Sequence, residues 1–123
     1  LLRERLARKG FLNATQLAEL PHGRTVSACG IVTVRQQPQT AKGPMFVTLE
    51  DETGPVNAIV WKSVREAQRD ALLRSRLLAV RGTWQRDVES GGQVCHLVAA
   101  RLMDLTPLLG RLADQSSKSR DFH

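Results

Sequence analysis

Met45-Phe46-Val47-Thr48-Leu49-Glu50-Asp51, followed by Glu52-Thr53-Gly54-Pro55 and then Val56-Asn57-Ala58-Ile59-Val60-Trp61, decides the fold. The two flanking runs are rich in β-branched and aromatic residues and alternate with a period of two, the pattern of half-buried strands. The tetrad between them carries turn residues, so the runs pair as a hairpin. Alternation places Val47, Leu49, Val56, Ala58 and Val60 on the core side. It leaves Phe46, Thr48, Glu50, Asn57, Ile59 and Trp61 on the other side.

Upstream, residues 25–34 form a long strand with Gly30 in its middle. A glycine there weakens a strand unless the strand must bend. Residues 35–44 form a loop marked by Pro38, Gly43 and Pro44. Downstream, Ser63-x-x-Glu66 has the spacing of a capping box and opens one helix, with Val64, Ala67, Ala71 and Leu72 on its apolar stripe. A fourth strand spans 77–85, with Trp84 as a packing residue. A turn holds Ser90-Gly91-Gly92, and a fifth strand spans 93–100. An amphipathic piece follows around 102–112. Before the first strand lie a basic helix over 2–9 and a second short helix, capped by Asn13 with Gln16 three positions on. The order is strand, strand, strand, helix, strand, strand. That is a mainly β, five-stranded OB-fold barrel with a helix between strands three and four, preceded by short N-terminal helices. The predicted organisation is a helical lead-in over 1–23, the barrel over 24–104, and a C-terminal helix with a mobile tail over 105–123.

The full sequence has 123 residues and a formal net charge of +6. The first residue is Leu1, so the chain reads as a fragment of something longer. No apolar run approaches the roughly 18 residues of a membrane span, and no signal peptide is visible. Cys29 and Cys95 lie far apart and the histidines are scattered, so no zinc motif is present; two reduced thiols in the cytosol are expected. The positive charge concentrates in residues 1–24 and 62–76. Residues 25–104 have ten basic and eight acidic residues. That balance permits phosphate contacts without a strong electrostatic footprint.

In an OB barrel the second and third strands, with their flanking loops, carry oligonucleotides. The outward Phe46 can stack a base, or it is covered by the basic helix. Thr48 and Asn57 lie on the same face. Trp61 is either a second platform or a wedge where the helix begins. Arg35 and Lys42 in one loop and Arg86 in the other are the candidate phosphate contacts. Three such contacts imply a salt slope of roughly −2 for a single strand. Glu50-Asp51-Glu52 are consecutive and point apart, which suits a turn better than a pair of metals. No catalytic motif is visible, so no catalytic residue, metal ligand or cofactor is assigned. Gln16-Leu17-Ala18-Glu19-Leu20 is similar to a sliding-clamp-binding peptide, but the capped helix already accounts for it.

Val34-Arg35-Gln36-Gln37-Pro38, Ala41 through Gly54, and Ile59-Val60-Trp61 resemble the C-terminal OB domain of bacterial C-family DNA polymerase alpha subunits, closest to the error-prone, ImuC-type branch. Residues 17–23, 95–99 and 119–123 agree. Gln37 departs from the family loop, which has an arginine there, and removes one candidate phosphate contact. The resemblance implies a cytoplasmic, template-directed polymerase acting in damage-induced mutagenesis. Its magnesium-binding carboxylates would lie outside this segment. It also implies single-stranded DNA, the rest of the polymerase chain, ImuB, ImuA and the sliding clamp as partners. The alternatives are an RNA-binding, anticodon-type OB domain and a protein-docking OB module for another polymerase subunit.

Overall fold

The computed structural model describes residues 2–109. Their elements, in order, are α1 (Leu2–Arg8), β1 (Phe11–Leu12), α2 (Ala14–Ala18), β2 (Thr25–Gln36), β3 (Met45–Asp51) and β4 (Gly54–Val60). Then come α3 (Lys62–Ala67), α4 (Arg69–Arg74), β5 (Leu77–Arg86), a 3₁₀ turn (Val88–Ser90) and β6 (Cys95–Asp104). The five predicted strands are β2 to β6, and β1 is a two-residue addition paired parallel to β2. Residues 110–123, which include most of the predicted tail, lie outside the described residues.

β2 closes the barrel. Its residues 25–31 pair antiparallel with β5, and its residues 31–36 pair antiparallel with β3. The sheet runs β2-β3-β4-β6-β5 and returns from β5 to β2. Gly30 sits where the strand changes partners. A Cβ there would lie 2.8 Å from the Glu50 carbonyl oxygen, so the crossing needs a residue without a side chain. A second close approach occurs at Gly82, where a Cβ would lie 1.9 Å from the Val98 carbonyl oxygen. The β5–β6 register shifts between Arg81 and Gly82, which leaves Ala100 as an extra residue on β6.

The helix between β4 and β5 is two pieces. It begins at Lys62, and its N-cap is Trp61, which makes no side-chain capping bond. The expected Ser63-to-Glu66 box therefore does not form. The break falls at Gln68, whose φ and ψ are −126° and 41°. That side chain instead serves the β6 bulge: Gln68 Oε1 accepts from Leu102 N at 2.7 Å, and its Nε2 donates to Ala100 O at 3.5 Å. Both groups flank the bulge, so the break lets Gln68 satisfy backbone that the bulge deprives of ladder partners. Leu72 is fully buried, while Ala67 of the predicted stripe is exposed.

The core is Leu17, Met45, Val47, Leu49, Val56, Ala58, Val60, Leu72, Leu78, Val80, Trp84 and Leu97, joined by smaller neighbours. The alternation predicted for β3 and β4 is the one observed. β6 runs on to Asp104, so Leu102 is a buried strand residue and not part of an amphipathic helix. Helical residues 106–109 follow. Leu105, Leu108 and Leu109 pack with Phe11 over Cys29, Leu77 and Ala79, a small second cluster outside the barrel. The predicted cap of α2 is present in full: Asn13 Oδ1 accepts from Gln16 N at 2.8 Å, and Asn13 N donates to Gln16 Oε1 at 2.9 Å. Leu17 is thereby turned into the core with no exposed surface, which withdraws it from any clamp-type peptide contact.

Two outcomes follow from this packing. Gly82→Ala should destabilise the barrel by about 1–3 kcal/mol, the usual cost of forcing atoms into filled space, read as a lower midpoint in urea. Asp104 is held below its ordinary carboxylate range, chiefly by the Thr106 hydroxyl. A depressed pKa contributes stability above the unfolded value that fades as pH falls through the folded one. Thr106→Ala should raise the Asp104 titration midpoint in a carbon-detected NMR titration; an unmoved midpoint would contradict that assignment.

Candidate nucleic-acid interface

Strand pairing arranges the outward residues of β2, β3 and β4 in rows. Gln36, Phe46 and Ile59 form one row, and Val34, Thr48 and Asn57 form the next. Phe46 is 40% exposed, far more than a core phenylalanine. Thr48 Oγ1 donates to Asn57 Oδ1 at 3.1 Å, so these two predicted residues form one polar pair beside the ring. Trp61 lies just past the end of β4, two residues on from Ile59, and is 48% exposed. It is also the N-cap at which α3 begins, and it is half-exposed there.

Two loops flank the rows. The β2–β3 loop forms, with Phe46, a cleft of about 300 Å³ lined also by Gln36, Gln37, Gln39 and Thr40. On the other side, Asn57 and Pro55 face the β5–β6 loop residues Gln93 and Val94 across a cleft of about 400 Å³. The surface is therefore an aromatic and amide platform between two loop walls, with Lys42 exposed on the first of them.

The predicted loop arginines are placed differently from expectation. Arg35 belongs to β2, not to the loop. Its Nε donates to Leu72 O at 2.7 Å and its Nη2 to Ser75 O, which ties the strand to the carbonyl end of α4. Arg86 is a strut. Its guanidinium donates to Leu20 O at 2.6 Å, Gly92 O at 2.8 Å, Ala18 O and the Cys95 sulfur. Carbonyls at chain reversals have no ladder partner, and a planar cation with five donors can serve several at once. Of the three cations, Lys42 alone is free of a hydrogen bond or ion pair among the described residues.

Arg65 is a site-shaping residue that sequence reasoning missed. One of its terminal nitrogens donates to Ala41 O at 2.9 Å and Gly43 O at 3.0 Å, pinning the loop that walls Phe46. In the sequence it is one of several charges on a basic helix, and nothing local distinguishes it. Asp51 takes the turn role expected of the acidic triplet. Its Oδ1 accepts from Thr53 N at 2.7 Å and Thr53 Oγ1 at 2.6 Å, and its Oδ2 from Ala14 N at 2.8 Å. Among the described residues no three His, Cys, Asp or Glu side chains are grouped to hold a metal. No helix among them is long and apolar enough to cross a membrane.

Residues 26–104 match the model of a family described as the OB-fold nucleic acid binding domain. The chain is 55% identical over its full length to an error-prone DNA polymerase of Ralstonia nicotianae, and spans 11% of that protein. It is 54% identical to an error-prone DNA polymerase of Bordetella parapertussis, again over the whole chain and 12% of the relative. The chain thus spans about a tenth of the length of these curated relatives. Among solved structures, asparaginyl-tRNA synthetase from Pyrococcus horikoshii superposes with a TM-score of 0.61 at 23% identity, over 77% of this chain and 23% of that one. An OBody, AM3L15, bound to hen egg-white lysozyme gives 0.62 at 12% identity, over 78% of this chain and 88% of that one. Both likenesses concern the fold.

Because Arg86 holds two chain segments through three carbonyls, Arg86→Ala should lower stability by about 2–3 kcal/mol in urea denaturation. Arg86→Lys should recover little of it, since an ammonium cannot reproduce the planar fork.

Proposed function

This chain belongs to the OB-fold nucleic acid binding domain family, and on that footing we propose that its outer β2–β3–β4 face holds single-stranded DNA. The observation that carries the reading is the exposed Phe46 ring, centred in an outward row between two loop walls. A base has a π-face whatever its sequence, so an exposed ring on a flat sheet receives bases with little discrimination. Thr48 and Asn57 offer hydrogen-bonding groups beside it, and Trp61 a second ring. The cations nearest the platform are few, which suits binding dominated by stacking with a shallow salt dependence.

The relatives named error-prone DNA polymerase supply the context. We read the chain as the template-guiding piece of a translesion polymerase acting in damage-induced mutagenesis, with no catalytic group of its own. The binding unit is the barrel over 24–104, with 1–23 as its helical lead-in and 105–123 trailing it. Nucleotidyl transfer with magnesium would occur elsewhere in the whole protein. That protein would work in the cytoplasm with ImuB, ImuA and the sliding clamp.

The test compares two substitutions on opposite faces of β3. Phe46→Ala should weaken oligothymidine binding by about 1–3 kcal/mol, the value of one stacked base. It should cost less stability than the roughly 3–5 kcal/mol of removing a core phenylalanine. Leu49→Ala, on the core face, should lose about 2–5 kcal/mol of stability. A Phe46→Ala chain that is stable and binds normally would contradict the reading. Matched oligouridine should bind no better than oligothymidine; a clear preference for RNA, through 2′-hydroxyl contacts, would move the assignment to RNA.

A further inference from the structure

The row that contains Phe46 does not stop at β4. Ile59 pairs with Val98 on β6, Val98 with Thr83 on β5, and Thr83 with Thr25 on β2. A chain of outward neighbours therefore runs from the platform around the barrel, and it is uncharged throughout. One pleat further along β5 and β6, the next outward pair is Arg81 directly opposite Arg101, with Ser27 beyond Arg81.

Two like charges directly opposite in an antiparallel ladder repel each other. Both side chains are exposed. Arg81 Nη1 donates to the Ser27 hydroxyl at 3.1 Å, a neutral acceptor, and the Arg101 side chain has no hydrogen bond or ion pair among the described residues. The acids on the neighbouring helices, Glu66 and Asp70, sit with Lys62 and Arg74 on their own helices. These two guanidiniums differ from those of Arg35, Arg65 and Arg86, which are bonded to backbone carbonyls. With strands about 4.8 Å apart and about 7 Å between successive outward residues, Arg101 lies roughly 12 Å and Arg81 roughly 16 Å from Phe46 along the surface. An oligonucleotide a few residues long covers that distance.

We propose that the strand seated on Phe46 leaves the platform across Ile59 and Val98, and that Arg81 and Arg101 receive its phosphates as a paired site. The path rests on the platform reading above and extends it to the far side of β6. Planar guanidiniums side by side match the oxygens of a phosphodiester, and the bound anion relieves their mutual repulsion. Counting Lys42, three cations then face the strand, as many as sequence reasoning expected, but two of them are different residues.

The test uses the 123-residue chain with labelled oligothymidines of about two nucleotides, too short to reach from Phe46 to the arginines, and about twelve, enough for the path. In the double variant Arg81→Gln, Arg101→Gln, the slope of log affinity against log salt for the longer oligomer should flatten by about 1.4, two contacts at about 0.7 each. The shorter oligomer should bind as it does to the unsubstituted chain. An unchanged slope for the longer oligomer, with Phe46→Ala still weakening both, would overturn the path alone. Normal binding of both oligomers by Phe46→Ala would overturn the platform and the path together. Both positions are exposed, so thermal melts of the double variant should match the parent.

Discussion

The double pairing of β2 is the constraint on which the rest of the molecule depends. One strand serves β5 with its first half and β3 with its second, and the exchange occurs at Gly30 and Ile31. Without that exchange the sheet would have two open edges, with rows of unpaired backbone groups. With it, each strand from β2 to β6 has a neighbour on both sides and the inner face is sealed around Val47, Leu49, Val80 and Leu97. Closure also fixes register, and register fixes which side chains point out, because a slip of one residue would reverse every face. Phe46 is exposed because its neighbours Met45 and Val47 are both taken into the core.

Arginine has two distinct uses here. Arg35, Arg65 and Arg86 point their guanidiniums at backbone carbonyls where the chain leaves regular structure. They join the strands to α4, the β2–β3 loop to α3, and the β5–β6 loop to α2. A barrel this small has a limited apolar core, and charge-assisted bonds to otherwise unpaired carbonyls hold its loops in place. The consequence for function is a platform whose walls are held rigidly while its surface is aromatic and polar. Along the barrel strands and the β2–β3 loop, the exposed cations are Lys42, Arg81 and Arg101.

The fold was legible in the sequence because its strands are written in period-two alternation and its turns in glycine, proline and aspartate. β3 matches its predicted span at both ends, and the Asn13 cap forms as its spacing implied. The misreadings share a physical cause, which is long-range pairing that no local pattern records. β6 continues to Asp104 because β5 pairs with it that far. The helix breaks at Gln68 because a bulge on β6, more than thirty residues away, takes that side chain. At the site, alternation placed Phe46, Thr48 and Asn57 on one face. The loop arginines could not be placed, because a long flexible cation chooses among acceptors that only the folded chain brings near it. The requirement at Gly82 is invisible in the local sequence for the same reason: it comes from the Val98 carbonyl on another strand.

The central claim is that the outward row through Phe46 is where single-stranded DNA sits. The most direct measurement is a nitrogen–proton NMR titration of the isotopically labelled chain with oligothymidine. The account predicts that the largest shifts fall on Gln36, Phe46, Asn57, Ile59 and the indole of Trp61, while the indole of the buried Trp84 stays unmoved. Shifts confined to α1 and α2, with the β3–β4 row silent, would contradict it.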